Sequence, residues 1–230
     1  MSVLRVAPKF NQKIPNYEIY GVIHSCDEIG GDYYDFMEKE NGKTAIVIAE
    51  VSGKGAGIAL VRTDFQASIL SLSRENINPD VLIAKLNRAI MAGHSNQYIT
   101  VFYAELDWIK HTFEYVNAGH NPPLLLIQNG YTRLSACGPV VGVVPDAQYQ
   151  SDRINLEPKD LVFFYTNGIT DIRNPQEEPF GEARVLNFLM NNRNAGLEEL
   201  SGLLENKIHD FVKGAPPLDD RTLVILKRLC

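Results

Sequence analysis

The chain has 230 residues, 45% of them hydrophobic and 22% charged, which excludes collagen-like and mainly disordered readings. That length suits one large domain or two small ones, and it can bury a sizeable core without staples. Lys and Arg number 22 against 28 Asp and Glu, a formal net charge of −6, and no dense basic run is present. A general nucleic-acid binder is therefore excluded, because phosphate contacts need basic patches.

Three cysteines, Cys26, Cys137 and Cys230, are too few and too far apart for a disulfide framework or a zinc site. A reducing, cytoplasmic setting is expected. The longest apolar runs, such as 140–144 and 161–165, fall far short of the roughly 20 residues of a membrane helix. The first eight residues lack the apolar core of a signal peptide. A soluble protein, or the soluble domain of a longer one, is expected.

In chain order, 44–51 is β-branched and apolar and predicts a buried strand. Beyond Gly57, Ile58, Val61, Phe65, Ile69 and Leu72 recur at helical spacing. Asn78-Pro79 reads as an N-cap followed by proline at the first helical position, with Leu82, Leu86 and Ile90 marking one face. Strands are predicted over 98–106 and 111–117. A hairpin joins 123–128 to 131–134 at Asn129-Gly130, a strong hairpin signal. A further strand covers 161–166. Val185, Leu186 and Leu189 suggest a helix, and Leu197, Leu200, Leu204, Ile208 and Phe211 form a clean helical stripe. A last strand covers 222–227. Hairpin-linked strands with helices in blocks predict antiparallel sheets covered by helices, not a doubly wound parallel sheet. No repeat or linker interrupts the chain, so a single domain over 1–230 is expected.

Four segments place an oxygen-bearing side chain at a strand end or a glycine turn. Gly30-Gly31-Asp32 would let Asp32 project from a turn. In 49–57, a strand ends at Glu50-Val51 and a glycine-rich loop opens a helix. That loop lacks the G-x-x-x-x-G-K-[ST] spacing of a P-loop, which leaves nucleotide binding poorly supported. In 163–171 a hydrophobic strand runs into Asn167-Gly168, which alone is an ordinary strand-to-turn exit. Asp219-Asp220 enters the last strand. Each segment alone is a capped turn or a solvated loop. Together, convergent carboxylates need cations to offset their repulsion, and paired Mg²⁺ or Mn²⁺ ions would do so while activating water for phosphoryl displacement. The five histidines show no HExxH pattern, and no G-x-S-x-G elbow exists. His120 sits in a tight turn and is read as structural.

These segments resemble the SpoIIE/RsbU-type branch of the PPM metal-dependent serine/threonine phosphatases. The matching pieces are Gly-Gly-Asp-Tyr-Tyr-Asp-Phe at 30–36, Val-Ser-Gly-Lys-Gly at 51–55 and Asn-Ala-Gly-His-Asn-Pro-Pro at 117–123. Tyr-Thr-Asn-Gly-Ile-Thr-Asp at 165–171, Phe180-Gly181 and Asp-Asp-Arg-Thr-Leu at 219–223 follow in the family's order. The resemblance implies an α+β fold, an αββα sandwich of two antiparallel sheets flanked by helices. It implies hydrolysis of phosphoserine or phosphothreonine by metal-activated water at an Mg²⁺ or Mn²⁺ pair. The implied partner is a phosphorylated anti-sigma-factor antagonist in bacterial partner switching, with a homodimer possible through a regulatory helix and with regulation supplied in trans or by a part outside this chain. Nucleic acid and membrane insertion are not expected.

Carried over position by position, the implied metal residues are Asp32, Glu50, the carbonyl of Val51, Asn167 and Asp219, with Asp220 beside the last. Two of them depart from the family pattern. Glu50 stands where the family has the bridging aspartate, and its extra methylene moves the carboxylate by roughly 1 Å, a misplacement that can cost about 10²-fold in rate. Asn167 stands where the family has the aspartate of Thr-Asp-Gly, and loses a charge on which hard cations depend. The expectation is a metal-dependent phosphatase, with a degenerate pseudophosphatase that binds a phosphoprotein or regulator as its alternative. The stripe 58–72 is expected to be core, with a movable element as the other reading.

Overall fold

Among the described residues of the computed structural model, the strands lie in two antiparallel sheets, of six and five strands. Described are residues 10–26, 30–39, 42–53, 56–94, 97–135, 137–214 and 219–230, with backbone alone for 10–13 and 56. The contacts divide the chain into two compact units, 1–30 with 123–133 and 158–230, and 31–122 with 134–157.

The first unit holds β1 (Phe10–Ile14), β2 (Tyr17–His24), β7 (Leu124–Ile127), β8 (Gly130–Arg133), β10 (Leu161–Tyr165) and β11 (Arg221–Arg228), in spatial order β1-β2-β11-β10-β7-β8. Its helices are α3 (Asn167–Thr170), α4 (Gly181–Asn192) and α5 (Leu197–Val212). Tyr20, Val22, Phe163, Tyr165, Leu223 and Ile225 on one sheet face join Val185, Leu189, Leu200, Leu204 and Ile208 in one buried cluster. The helical stripe at 197–211 is thereby used as its spacing predicts.

The second unit holds β3 (Asp32–Lys39), β4 (Lys43–Val51), β5 (Ile99–Asp107), β6 (Thr112–Ala118) and β9 (Asp152–Asn155), in that order across the sheet. Helices α1 (Ala56–Leu72) and α2 (Pro79–Gly93) cover one face. Val47, Ala49, Val101 and Tyr103 pack there against Val61, Phe65, Ile69, Leu82 and Leu86. The stripe 58–72 is therefore core, with Leu72 partly buried against it. Ile46, Ile48, Phe102 and Ala104, on the other face of the strands, are fully buried as well. This double burial explains the unbroken apolar run of β4, where a one-sided sheet would alternate.

Three local readings are corrected. Asp32 does not project from a turn: it is the first residue of β3, a strand built from Tyr33, Tyr34 and Phe36. Asn167 does not simply leave a strand: it opens the short helix α3, where its carbonyl accepts the Asp171 N–H at 2.8 Å. The hairpin exists, but Ile127 lies opposite Gly130, so Gln128-Asn129 form the loop and Gly130 begins β8. The strands β1, β2, β3 and β9 have no counterpart in the sequence reading. Residues 1–9, Lys54, Gly55 and Leu218 lie outside the described residues, so the leader reading and much of the glycine-rich loop do too. Among the described residues no helix is long and apolar enough to cross a membrane.

Candidate functional site

In the second unit, the register puts Asp32 opposite Glu50, and Glu50 opposite Thr100. Residues paired across an antiparallel ladder share a face, so the three polar side chains form a row across β3, β4 and β5. The row lies on the face away from α1 and α2, because Ala49 and Val51, the flanking residues of β4, belong to the helix-facing core. Asp32 is buried and Glu50 half-buried. Two carboxylates in register repel, which weakens this end of the ladder relative to an uncharged pair.

The row continues into the 117–122 turn. Thr100 Oγ1 lies 2.9 Å from His120 Nδ1. The His120 N–H donates to Asn117 Oδ1 at 2.8 Å, and Asn117 Nδ2 donates to the Leu134 carbonyl at 3.1 Å. Asn117 and His120 are both buried. Gly119 has φ +72°, and a Cβ there would sit 2.5 Å from Val140 Cγ1, so this turn accepts only glycine. The structural reading of His120 agrees with these contacts, and the same contacts tie it to the acidic row through Thr100.

Val51 is the other half of this strand end. Its N–H donates to the Gly31 carbonyl at 3.1 Å. A Cβ on Gly31 would lie 2.9 Å from the Val51 carbonyl oxygen, so glycine keeps the space before that oxygen open. Beyond it, the Ser52 N–H donates to the Tyr98 carbonyl and Ser52 Oγ accepts the Tyr98 N–H, each at 2.9 Å. The exit of β4 is thus pinned to the entry of β5.

In the first unit, Asn167 and the Asp219-Asp220 pair lie at the ends of neighbouring strands. The Thr166 N–H donates to the Thr222 carbonyl, and the Thr222 N–H donates to Thr166 Oγ1, both at 3.1 Å. Asp219 is exposed, and its Oδ1 accepts the Asp220 N–H at 2.9 Å. Asp220 is the buried acid, 2% exposed, and its Oδ1 accepts the Cys26 N–H at 2.9 Å. A Cβ on Gly30 would fall 1.7 Å from Asp220 Oδ2, and one on Gly168 would fall 1.8 Å from the Asp220 carbonyl oxygen. Two motif glycines are therefore needed to seat one aspartate. Sequence reasoning treated Asp220 only as a neighbour, because its seat beside two motif glycines is made by tertiary structure.

Phe180-Gly181 serves packing. Phe180 is buried edge-on to Phe211, with centroids 5.2 Å apart. The next residue, Glu182, accepts from the Arg133 guanidinium and, at 3.0 Å, from the Tyr165 hydroxyl. The Arg133 hydrogen bonds hold the Glu182 carboxyl below its ordinary range, and burial with the nearby Glu182 charge pushes the Tyr165 phenol above its own.

Asp32, Glu50 and Val51 are thus brought to one strand end of the second unit, and Asn167 and Asp219 to strand ends of the first. Their oxygens are the donors hard divalent cations take, six or more at a time. Neither unit's donors alone fit a two-cation centre: the second brings the Asp32 and Glu50 carboxylates with one carbonyl, the first an uncharged Asn167 with Asp219, and among the described residues no three His, Cys, Asp or Glu side chains are grouped to hold a metal ion.

Comparison with known proteins agrees with the motif order. The family profile of Stage II sporulation protein E (SpoIIE) matches residues 40–229. Phosphoserine phosphatase RsbU of Bacillus subtilis is 30% identical over 226 residues, covering 94% of this chain and 65% of that protein. Protein IcfG of Synechocystis is 26% identical over 244 residues, covering 94% of this chain and 38% of that protein. The chain thus spans between about two fifths and two thirds of these relatives' length. The solved SiaA-PP2C domain of Pseudomonas aeruginosa superposes with a TM-score of 0.81 at 18% identity, over 91% of this chain and 85% of that one. At that identity the likeness carries the fold, and it agrees with two antiparallel sheets flanked by helices. The chain belongs to the SpoIIE/RsbU-type branch of the PPM phosphatase family.

Proposed function

We propose that this chain is a degenerate phosphatase-type module that binds a phosphoserine- or phosphothreonine-bearing regulator in bacterial partner switching without turning it over. The observation that carries this reading is the state of the acidic set. Glu50 and Asn167 stand at two of its positions, and no described group of three His, Cys, Asp or Glu side chains forms around them. Loss of ligand charge weakens Mg²⁺ or Mn²⁺ binding, and a carboxylate misplaced by about 1 Å lowers a rate steeply even when binding persists. What remains suited to recognition is, in the second unit, the pinned exit of β4 and the His120 turn and, in the first, the seated Asp220. The proposed ligand is a phosphorylated anti-sigma-factor antagonist or a similar protein, met in the cytoplasm by one domain that extends over the whole chain.

A second reading is a slow Mg²⁺- or Mn²⁺-dependent phosphatase that needs high cation concentrations. It is favoured by the retained acids Asp32 and Asp219 and by the 30% identity to a protein named phosphoserine phosphatase RsbU. The two readings part on one experiment. Phosphate release from a phosphoserine protein of this pathway class is followed at millimolar Mn²⁺ for the native chain and for Glu50→Asp/Asn167→Asp. The binding reading expects no release from the native chain, and release at least about tenfold above background once both aspartates are restored. Turnover by the native chain establishes the second reading.

A further inference from the structure

At the other end of the five-stranded sheet, away from Asp32 and Glu50, a cleft of about 200 Å³ opens between the ends of β3, β4 and β5 and the segment after α1. Lys39 and Lys43 are directly opposite each other across the β3–β4 ladder, a placement that concentrates positive charge. Both donate to one carboxylate. Lys39 reaches Glu105 Oε1, which also accepts the Tyr103 hydroxyl at 3.3 Å, and Lys43 reaches Glu105 Oε2 at 3.0 Å. Glu105 is 4% exposed. Two ammonium groups on one buried carboxylate leave a net positive charge, and an ammonium carries three donors, of which Lys43 spends one here.

The remaining walls extend this pattern. Arg74 brings a guanidinium to the exposed rim. Ser73 lies beneath the cleft, its hydroxyl buried beside the Tyr103 phenol. Three acids line the cleft as well: Glu105 is shared by the two lysines, Glu75 is paired with Lys85, and Glu38 stands exposed at the rim. The carbonyl end of α1 opposes an anion here, and the Lys39 bond to the Glu75 carbonyl at 3.5 Å offsets part of that field.

We propose that this cleft binds a small free oxyanion of the phosphate class, held by Lys43 and Arg74, at a site separate from the acidic row. A volume below the roughly 300 Å³ at which drug-sized ligands begin limits the ligand to a few heavy atoms. The site does not depend on the proposed function, because none of its residues belongs to the phosphatase motifs.

The test is calorimetric titration of inorganic phosphate into the native chain and into Lys43→Gln, Arg74→Ala and Glu50→Gln, with melting curves confirming the fold of each. Saturable binding that weakens about fivefold or more in Lys43→Gln and in Arg74→Ala, as loss of a charge-assisted bond requires, and that persists in Glu50→Gln, is the expected result. Arg74→Glu, which reverses an exposed charge, repeats the test should Lys43→Gln fail to fold. The proposal is overturned by no saturable binding up to about 10 mM phosphate, an affinity too weak for any specific site. Binding unmoved by the cleft variants overturns it equally, by placing the anion elsewhere on the chain.

Discussion

Asp32 and Glu50 face each other directly across the β3–β4 ladder, on the same side of the sheet. Like charges in that register destabilise a ladder by about 0.2–1 kcal/mol. Glu50→Gln removes one of them and keeps the shape. In a buffer containing chelator, its unfolding free energy in urea is expected to rise by that amount. An equal fall would show that the Glu50 charge is held by something stronger than the repulsion.

The seat of Asp220 gives a prediction with a built-in control. Alanine at Gly168 would place a methyl group 1.8 Å from a backbone oxygen, and alanine at Gly30 would place one 1.7 Å from the Asp220 carboxylate. A carboxylate can swing aside, whereas a strand end cannot. Gly168→Ala is therefore expected to cost about 3 kcal/mol or more, and Gly30→Ala less, at the price of the Cys26 N–H bond. Gly202, inside α5, has nothing within 4 Å of its Cβ position. Gly202→Ala is expected to stabilise by about 0.5–1 kcal/mol through the better helix propensity of alanine. Denaturant unfolding of the three variants checks both signs and the order.

The Glu182 pair predicts a pH dependence. Its carboxyl is held below the ordinary range chiefly by the Arg133 hydrogen bonds. A group with a depressed folded pKa contributes stability that is present above its unfolded pKa, near 4.3, and lost as pH falls through the folded value. Glu182→Gln should thus lower stability at pH 7, by about 1 kcal/mol for a charge-assisted pair of this exposure. The deficit should shrink as pH falls below about 4, where the native carboxylate is protonated too. Unfolding free energies measured from pH 7 to pH 3 for both proteins give the comparison.

Legibility followed burial. β4 and the stripes of α1, α2 and α5 are plain in sequence because each repeats a period of apolar residues over several turns or along a strand. β3 is hidden because Gly30-Gly31-Asp32 reads as a turn, while the pairing that makes Asp32 a strand residue lies with Glu50, distant in the chain. β9 has only Ile154 as an apolar residue, and pairing with β6 makes it a strand. β2 is different: Tyr17, Ile19, Tyr20 and Val22 carried enough β-forming character to be found. At the site, the motifs name Asp32, Glu50, Asn167 and Asp219, and one sequence has no way to show that Thr100 would line up with the first two. The contrast between exposed Asp219 and buried Asp220 belongs equally to tertiary structure, since the residues are adjacent and identical.

Recognition without turnover, proposed from Glu50 and Asn167, is open to one direct assay. A phosphoserine-bearing antagonist protein is mixed with the native chain at millimolar Mn²⁺, and its binding and its phosphate release are measured on the same samples. Saturable binding that favours the phosphorylated over the unmodified protein is expected, with phosphate release at background until Glu50→Asp and Asn167→Asp are introduced together. Release by the native chain that rises with Mn²⁺ and is abolished by chelator would overturn the proposal of binding without turnover.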